Sequence, residues 1–226
     1  MTNLLNKYNI KYYYINTYMN MDLLNDLSKF ILETSAKFKI DETHNISHSF
    51  DVLHMAHAIY ESELRVDSSI AEHQTIIYLA ATLHDMCDKK YMNESEGLAE
   101  INAFLKSKIT DAEIAAVASI ITTMSYSKVK RDGFPDLGVY QRAYHIVREA
   151  DLLTAYDFDR CMIYHMKVNK GNFKDSFTKA EELFENRVFK HADDNLFTTE
   201  YALTHYSALH NQALEHIKRW KTIFFA

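Results

Sequence analysis

Glycine and proline are nearly missing from this sequence, with four glycines and one proline in 226 residues. A β-sandwich or a Rossmann sheet needs many turns marked by these residues, or a glycine-rich phosphate loop. The shortage argues against both and predicts long helices with few connections. Cysteine is equally scarce. Cys87 and Cys161 form neither a disulfide framework nor a C-x-x-C pair, which points to a reducing compartment and an expected cytoplasmic location. The most apolar stretch, Thr75 to Leu83, ends at His84-Asp85 and is far shorter than the ~20 residues of a membrane span. An apolar signal region is not evident near the N-terminus either, so no membrane partner is expected. Positive charge is in deficit, with 25 Lys and Arg against 31 Asp and Glu for a net charge of -6. No general positive field exists to hold a nucleic-acid polymer.

What is present is helical periodicity. Leu23, Leu24, Leu27, Phe30, Ile31 and Phe38 recur at three- and four-residue steps and predict one helix with a buried stripe. Further helices are expected near Ile46 to Ser62, Ser69 to His84, Glu94 to Lys106, Ala112 to Met124, Val139 to Tyr156, Phe158 to Val168, Asp175 to His191 and Glu200 to Phe224. Thr110 followed by Glu113 forms a capping box for the fifth of the nine. Tyr126 to Gly138 holds two glycines and Pro135 and is expected to be a long loop. Residues 1–20, biased to Asn, Tyr, Lys and Ile, read as an arm without assigned function. Neither a linker nor an internal repeat divides the rest, so residues 21–226 are expected to form a single all-α domain, an irregular helical bundle.

Four residues stand out against this helical background. His84 continues the apolar stripe of Ile76 and Ala80, and Asp85 follows it directly. A partly buried carboxylate without a cation or several donors costs several kcal/mol, so something positive is expected beside it. His48 precedes Val52, Met55 and Ile59 on one helix face and points inward by the same count, whereas His54 and His57 fall on the opposite side. Asp151 lies one turn after Val147 among Ala150, Leu152 and Leu153, and His145 of the same helix points elsewhere. Two imidazoles and two carboxylates from three helices make a mixed N/O set suited to one divalent metal, Mn, Fe, Co, Ni or Mg, with positions open to water.

His48 in SHSFDVLHMA, His84-Asp85 in AATLHD and Asp151 in READLLTAY together resemble the pattern of the HD-domain metal-dependent phosphohydrolases: a histidine, a His-Asp doublet and a distant aspartate. The resemblance covers about residues 41–160 and leaves residues 161–226 as helices expected to pack on that region. Asp41-Glu42-Thr43-His44 and Asp88-Lys89-Lys90 look like flanks of the small stand-alone HD proteins. It implies an HD-type bundle and hydrolysis of a small phosphate ester, most plausibly a nucleotide. His48, His84, Asp85 and Asp151 would be the metal ligands. Asp88 takes the place where relatives carry a water-orienting carboxylate, one turn beyond the doublet if the helix continues, with Glu94 or Glu96 next in line. Lys89 or Lys90 would steady phosphoryl charge, Lys89 counted with the catalytic groups and Lys90 with the substrate. In the segment SYSKVKRDG, Ser125, Ser127, Lys128, Lys130 and Arg131 are candidates for a phosphate-binding rim, Ser125 and Lys128 foremost. An ordinary mobile loop has the same composition. The competing reading is a catalytically silent helical module whose metal is structural or lost and whose surface binds a partner protein. A binuclear site would call for more histidines between the doublet and Asp151 than His145. A ferritin-like site would call for Glu-x-x-His pairs, and the chain has none.

Overall fold

A computed structural model describes residues 20–168 and 170–225. Among them all regular structure is helical: α1 (Met21–Phe38), α2 (Ile46–Val66), α3 (Gln74–Leu83), α4 (Glu94–Leu105), α5 (Asp111–Thr123), α6 (Tyr126–Asp132), α7 (Gln141–Thr154), α8 (Phe158–Val168), α9 (Phe173–Asn186) and α10 (Glu200–Phe225). Short 3-10 turns lead into α3 and α7 and follow α9. No helix among the described residues is long and apolar enough to cross a membrane. Residues 1–19 of the expected arm lie outside the described residues.

Helices α2, α3 and α7 form the centre by packing on one another. Every residue of α3 from Ile76 to Leu83 is buried. A helix that is apolar all round must be enclosed, and α2, α5 and α7 enclose it. Around this centre, α1 packs on α2 and α4 on α5, α8 pairs with α9, and α10 packs against α2, α7 and α8. The helices start where short polar side chains cap them. Asn20, Asn45, Asn93 and Asn172 each accept from a backbone N–H of the first turn. Both bonds of the Thr110–Glu113 capping box form.

Three expectations shift. The segment from Tyr126 is not a long loop: α6 runs to Asp132, because neither glycine nor proline occurs before Gly133 and Val129 finds a buried place on its inner face. Gly133, at φ 77°, then ends the helix. The helix expected over Ser69 to His84 opens instead with a 3-10 turn, Ser68–His73, where the Asp67 side chain accepts from Ser69 N–H. The helix expected through His191 stops at Asn186, before a 3-10 turn at Val188–Lys190.

One buried clamp fixes α10 to the centre. Glu149 of α7 is wholly buried, and its two carboxylate oxygens accept from both the backbone N–H and the hydroxyl of Thr198 and of Thr199, at 2.6–3.0 Å. Arg148 donates to it from the other side at 2.9 Å. The Thr199 hydroxyl in turn accepts from Ala202 N–H and so caps α10.

Candidate metal centre

His48 stands in the first turn of α2, His84 caps the end of α3, Asp85 begins the turn that follows, and Asp151 lies on α7. The three central helices thus deliver their polar groups to one point. Asp85 Oδ2 is 3.4 Å from His48 Nε2 and 3.3 Å from His84 Nε2, and Asp151 Oδ1 is 3.5 and 3.6 Å from the same nitrogens. His48, His84 and Asp151 each offer a ligand atom within 4.8 Å of the others. Ligands on a common ion with bonds of about 2.1 Å sit roughly 3.0–3.5 Å apart at neighbouring positions. His84 Nδ1 lies 2.8 Å from the Ala81 carbonyl, which can only accept, so this nitrogen carries a proton and Nε2 is the one left to take a cation in exchange for its own proton. His84 Nε2 and Asp85 Oδ2 are buried without a hydrogen-bond partner, as donors awaiting a cation would be.

Charge in the cluster follows from crowding. Burial disfavours the charged form of each carboxylate, but the imidazoles alongside outweigh it and hold Asp85 and Asp151 below the ordinary carboxylate range. Burial lowers His48. For His84 burial acts the same way, yet the adjacent Asp85 and Asp151 carboxylates prevail and push it up to about 9. A divalent cation would relieve both the two carboxylates and the orphaned His84 Nε2, so the residues fit one.

The cluster opens into a cavity of about 420 Å³. Asp88, Lys89, Lys90, Ser125 and Lys128 all line it. Asp88 does not reach it on a continued helix. After Leu83 the chain turns away through Met86 N–H to Leu83, Asp88 N–H to Asp85 and Tyr91 N–H to Asp88 carbonyls, because the chain beyond Cys87 is polar and leaves the core. Asp88 Oδ1 accepts from Lys90 N–H at 2.8 Å, and Oδ2 lies 3.5 Å from Lys90 Nζ. Lys128 is already engaged, donating at 2.6 Å to both Glu94 Oε1 and the Thr122 carbonyl, so it braces α6 against α4. Lys130 pairs with Asp194 at 2.7 Å and Arg131 with Asp132 at 2.6 Å. Glu96 is exposed and not in the wall. His57 faces Tyr78 hydroxyl at 2.6 Å, and His145 sits with Gln141 and Arg148, both away from the cluster.

Among the wall residues given no role from sequence are His44, Arg160 and Arg187. His44 carried a signal, its place three residues after Asp41. The buried Asp41 accepts from Thr43 N–H at 3.0 Å, from Thr43 hydroxyl and from Tyr91 hydroxyl at 2.6 Å, and Tyr91 hydroxyl also meets His44 Nδ1 at 2.9 Å. Burial opposes ionisation of Asp41, but these donors win and hold it down at about 2. A carboxylate depressed by folding contributes stability above its unfolded value near 3.9 and loses it as pH falls toward the folded one. Asp41→Asn is therefore expected to lower stability by about 2 kcal/mol at pH 7, with the deficit shrinking as the pH drops from 5 to 3. Urea titrations across that range check it, and a pH-independent deficit would contradict it.

No family model and no curated protein matches the sequence. A crystal structure of a Lactobacillus plantarum protein, determined as a Northeast Structural Genomics target, is similar to this chain with a TM-score of 0.67. The match covers 89% of this chain and 96% of that one at 19% sequence identity. Identity so low shows a shared fold alone.

Proposed function

We propose that the protein is a metal-dependent phosphohydrolase of the HD-domain type, acting on a small phosphate ester such as a nucleotide. The observation that carries this reading is the convergence of two carboxylates, each 3.3–3.6 Å from both of two imidazole nitrogens, at the wall of a cavity large enough for a small substrate. His48, His84, Asp85 and Asp151 would hold one divalent ion, and such an ion supplies acidified water and draws electron density from a phosphoryl oxygen. The chain does the rest. Asp85 and Asp151 would be committed to the cation, so proton handling falls to Asp88, whose Oδ2 lies 3.5 Å from the Lys90 ammonium. Asp88 would accept the proton of the attacking water, while the exposed Lys89 would neutralise charge building on the phosphate.

Asp88→Asn is expected to keep metal and KM while lowering kcat by roughly 10²-fold, the size of a lost general base. Near-normal kcat would remove Asp88 from the mechanism. The reading as a whole is tested by metal analysis of the purified protein followed by a phosphate-release screen. Nucleoside mono-, di- and triphosphates and cyclic nucleotides would each be offered with Mn, Fe, Co, Ni or Mg. Stoichiometric metal with no turnover in any combination would overturn it and favour a silent metal-binding module.

A further inference from the structure

Two arginines of the cavity wall are left without a carboxylate partner, although Asp157 lines the same wall. Lys90 faces Asp88 and Lys128 is held by Glu94. Arg160 and Arg187, by contrast, have no carboxylate within ion-pair distance among the described residues, although both are only partly exposed. Elsewhere in the protein the buried Arg148 leans on Glu149, and Arg142 pairs with the buried Glu63. An arginine that is half withdrawn from water and left without an anion is unusual in a chain with surplus acids, since its desolvation is not offset.

Both side chains are held in place. Arg160, on the first turn of α8, donates from Nη1 to the Thr43 carbonyl at 3.2 Å, which fixes the guanidinium beside the loop leading to His48, and its other donors have no partner among the described residues. Arg187, just after α9, lies with its guanidinium 4.5 Å from the centre of the Tyr126 ring. Both arginines line the one cavity, together with Cys161 and Asp157. A rigid planar fork with free N–H donors is the side chain best matched to phosphate oxygens.

We propose that Arg160 and Arg187 form an anion subsite for a second phosphate group, so that the natural substrate carries at least two linked phosphates, one at the His/Asp cluster and the next on the arginines. The subsite stands on the arginines themselves; its link to turnover rests on the phosphohydrolase reading.

Calorimetric titration of the metal-loaded full chain with inorganic pyrophosphate and with orthophosphate tests it, on the unaltered protein and on Arg160→Gln, Arg187→Gln and Lys130→Gln. The unaltered protein is expected to bind pyrophosphate at least ~10-fold more tightly than orthophosphate. Each arginine variant should lose roughly 10-fold or more of the pyrophosphate affinity while orthophosphate affinity stays within about threefold, the range for charge-assisted bonds to one of two phosphates. Lys130→Gln, whose ammonium belongs to Asp194, should change neither. Arg187 makes no side-chain hydrogen bond that the fold needs, so its variant serves even if Arg160→Gln fails to fold. Equal affinity for the two anions, or pyrophosphate binding indifferent to Arg187→Gln, would overturn the subsite. Arginine-dependent pyrophosphate binding without hydrolysis of any nucleotide would leave the subsite standing and overturn the phosphohydrolase reading instead.

Discussion

On the proposed reading, His84→Ala and Asp151→Ala proteins are expected to fold, to lose stoichiometric metal, and to release phosphate at least ~10³-fold more slowly than the unaltered protein, since a catalytic ion would supply several kcal/mol to the transition state. Folding should survive because each substitution shortens one side chain at the cavity wall and leaves the apolar packing of α2, α3 and α7 in place. A second readout separates loss of metal from general damage. Adding a chelator should lower the melting temperature of the unaltered protein by linkage and leave that of the variants where it was. Full metal content in a natively helical His84→Ala protein would show that the ion, if bound, is bound elsewhere.

Glu149→Ala is expected to destabilise the protein by about 3–5 kcal/mol, the usual result of breaking a buried ion pair from one side. Four donors from Thr198 and Thr199 lose their acceptor together, and Arg148, already buried with Nε and Nη1 unpartnered, is left with an uncompensated charge. Glu149→Gln should cost less, because the amide keeps one accepting oxygen while its NH2 group confronts donors. Urea unfolding monitored by circular dichroism decides the matter; a loss under ~1 kcal/mol for Glu149→Ala would mean that the clamp does not hold α10.

Much of this architecture is written in local pattern. The helices follow from three- and four-residue spacing and from capping side chains such as Thr110 and Glu113, which are properties of neighbouring residues. His48, His84 and Asp151 could be picked out because each interrupts or extends an apolar stripe, so burial made them conspicuous before any partner was known. The Arg148–Glu149 pair interrupts a stripe in the same way, but its meaning lies fifty residues on, at Thr198 and Thr199, and no spacing rule reaches that far. Arg160 and Arg187 carried even less signal, since exposed arginines on helices are commonplace and only the folded chain shows them facing one cavity. The helix at Tyr126–Asp132 was hidden by the glycines and proline that follow it; the turn they mark is real but begins only at Gly133. Asp88 illustrates the same limit, because its one-turn offset from Asp85 presupposed a helix that stops at Leu83.

The full enclosure of α3 sets an order of events when the molecule opens. Amide hydrogens from Ile77 to Leu83 have no local route to solvent and should exchange with deuterium only through global unfolding, while those of α6, exposed on most of its surface, exchange through small excursions. His84 and Asp85 hang on the end of the slowest-exchanging segment, and Ser125 and Lys128 belong to the fast one. The cavity is therefore expected to have one wall that opens on a far shorter clock than the His/Asp cluster, which keeps its shape meanwhile.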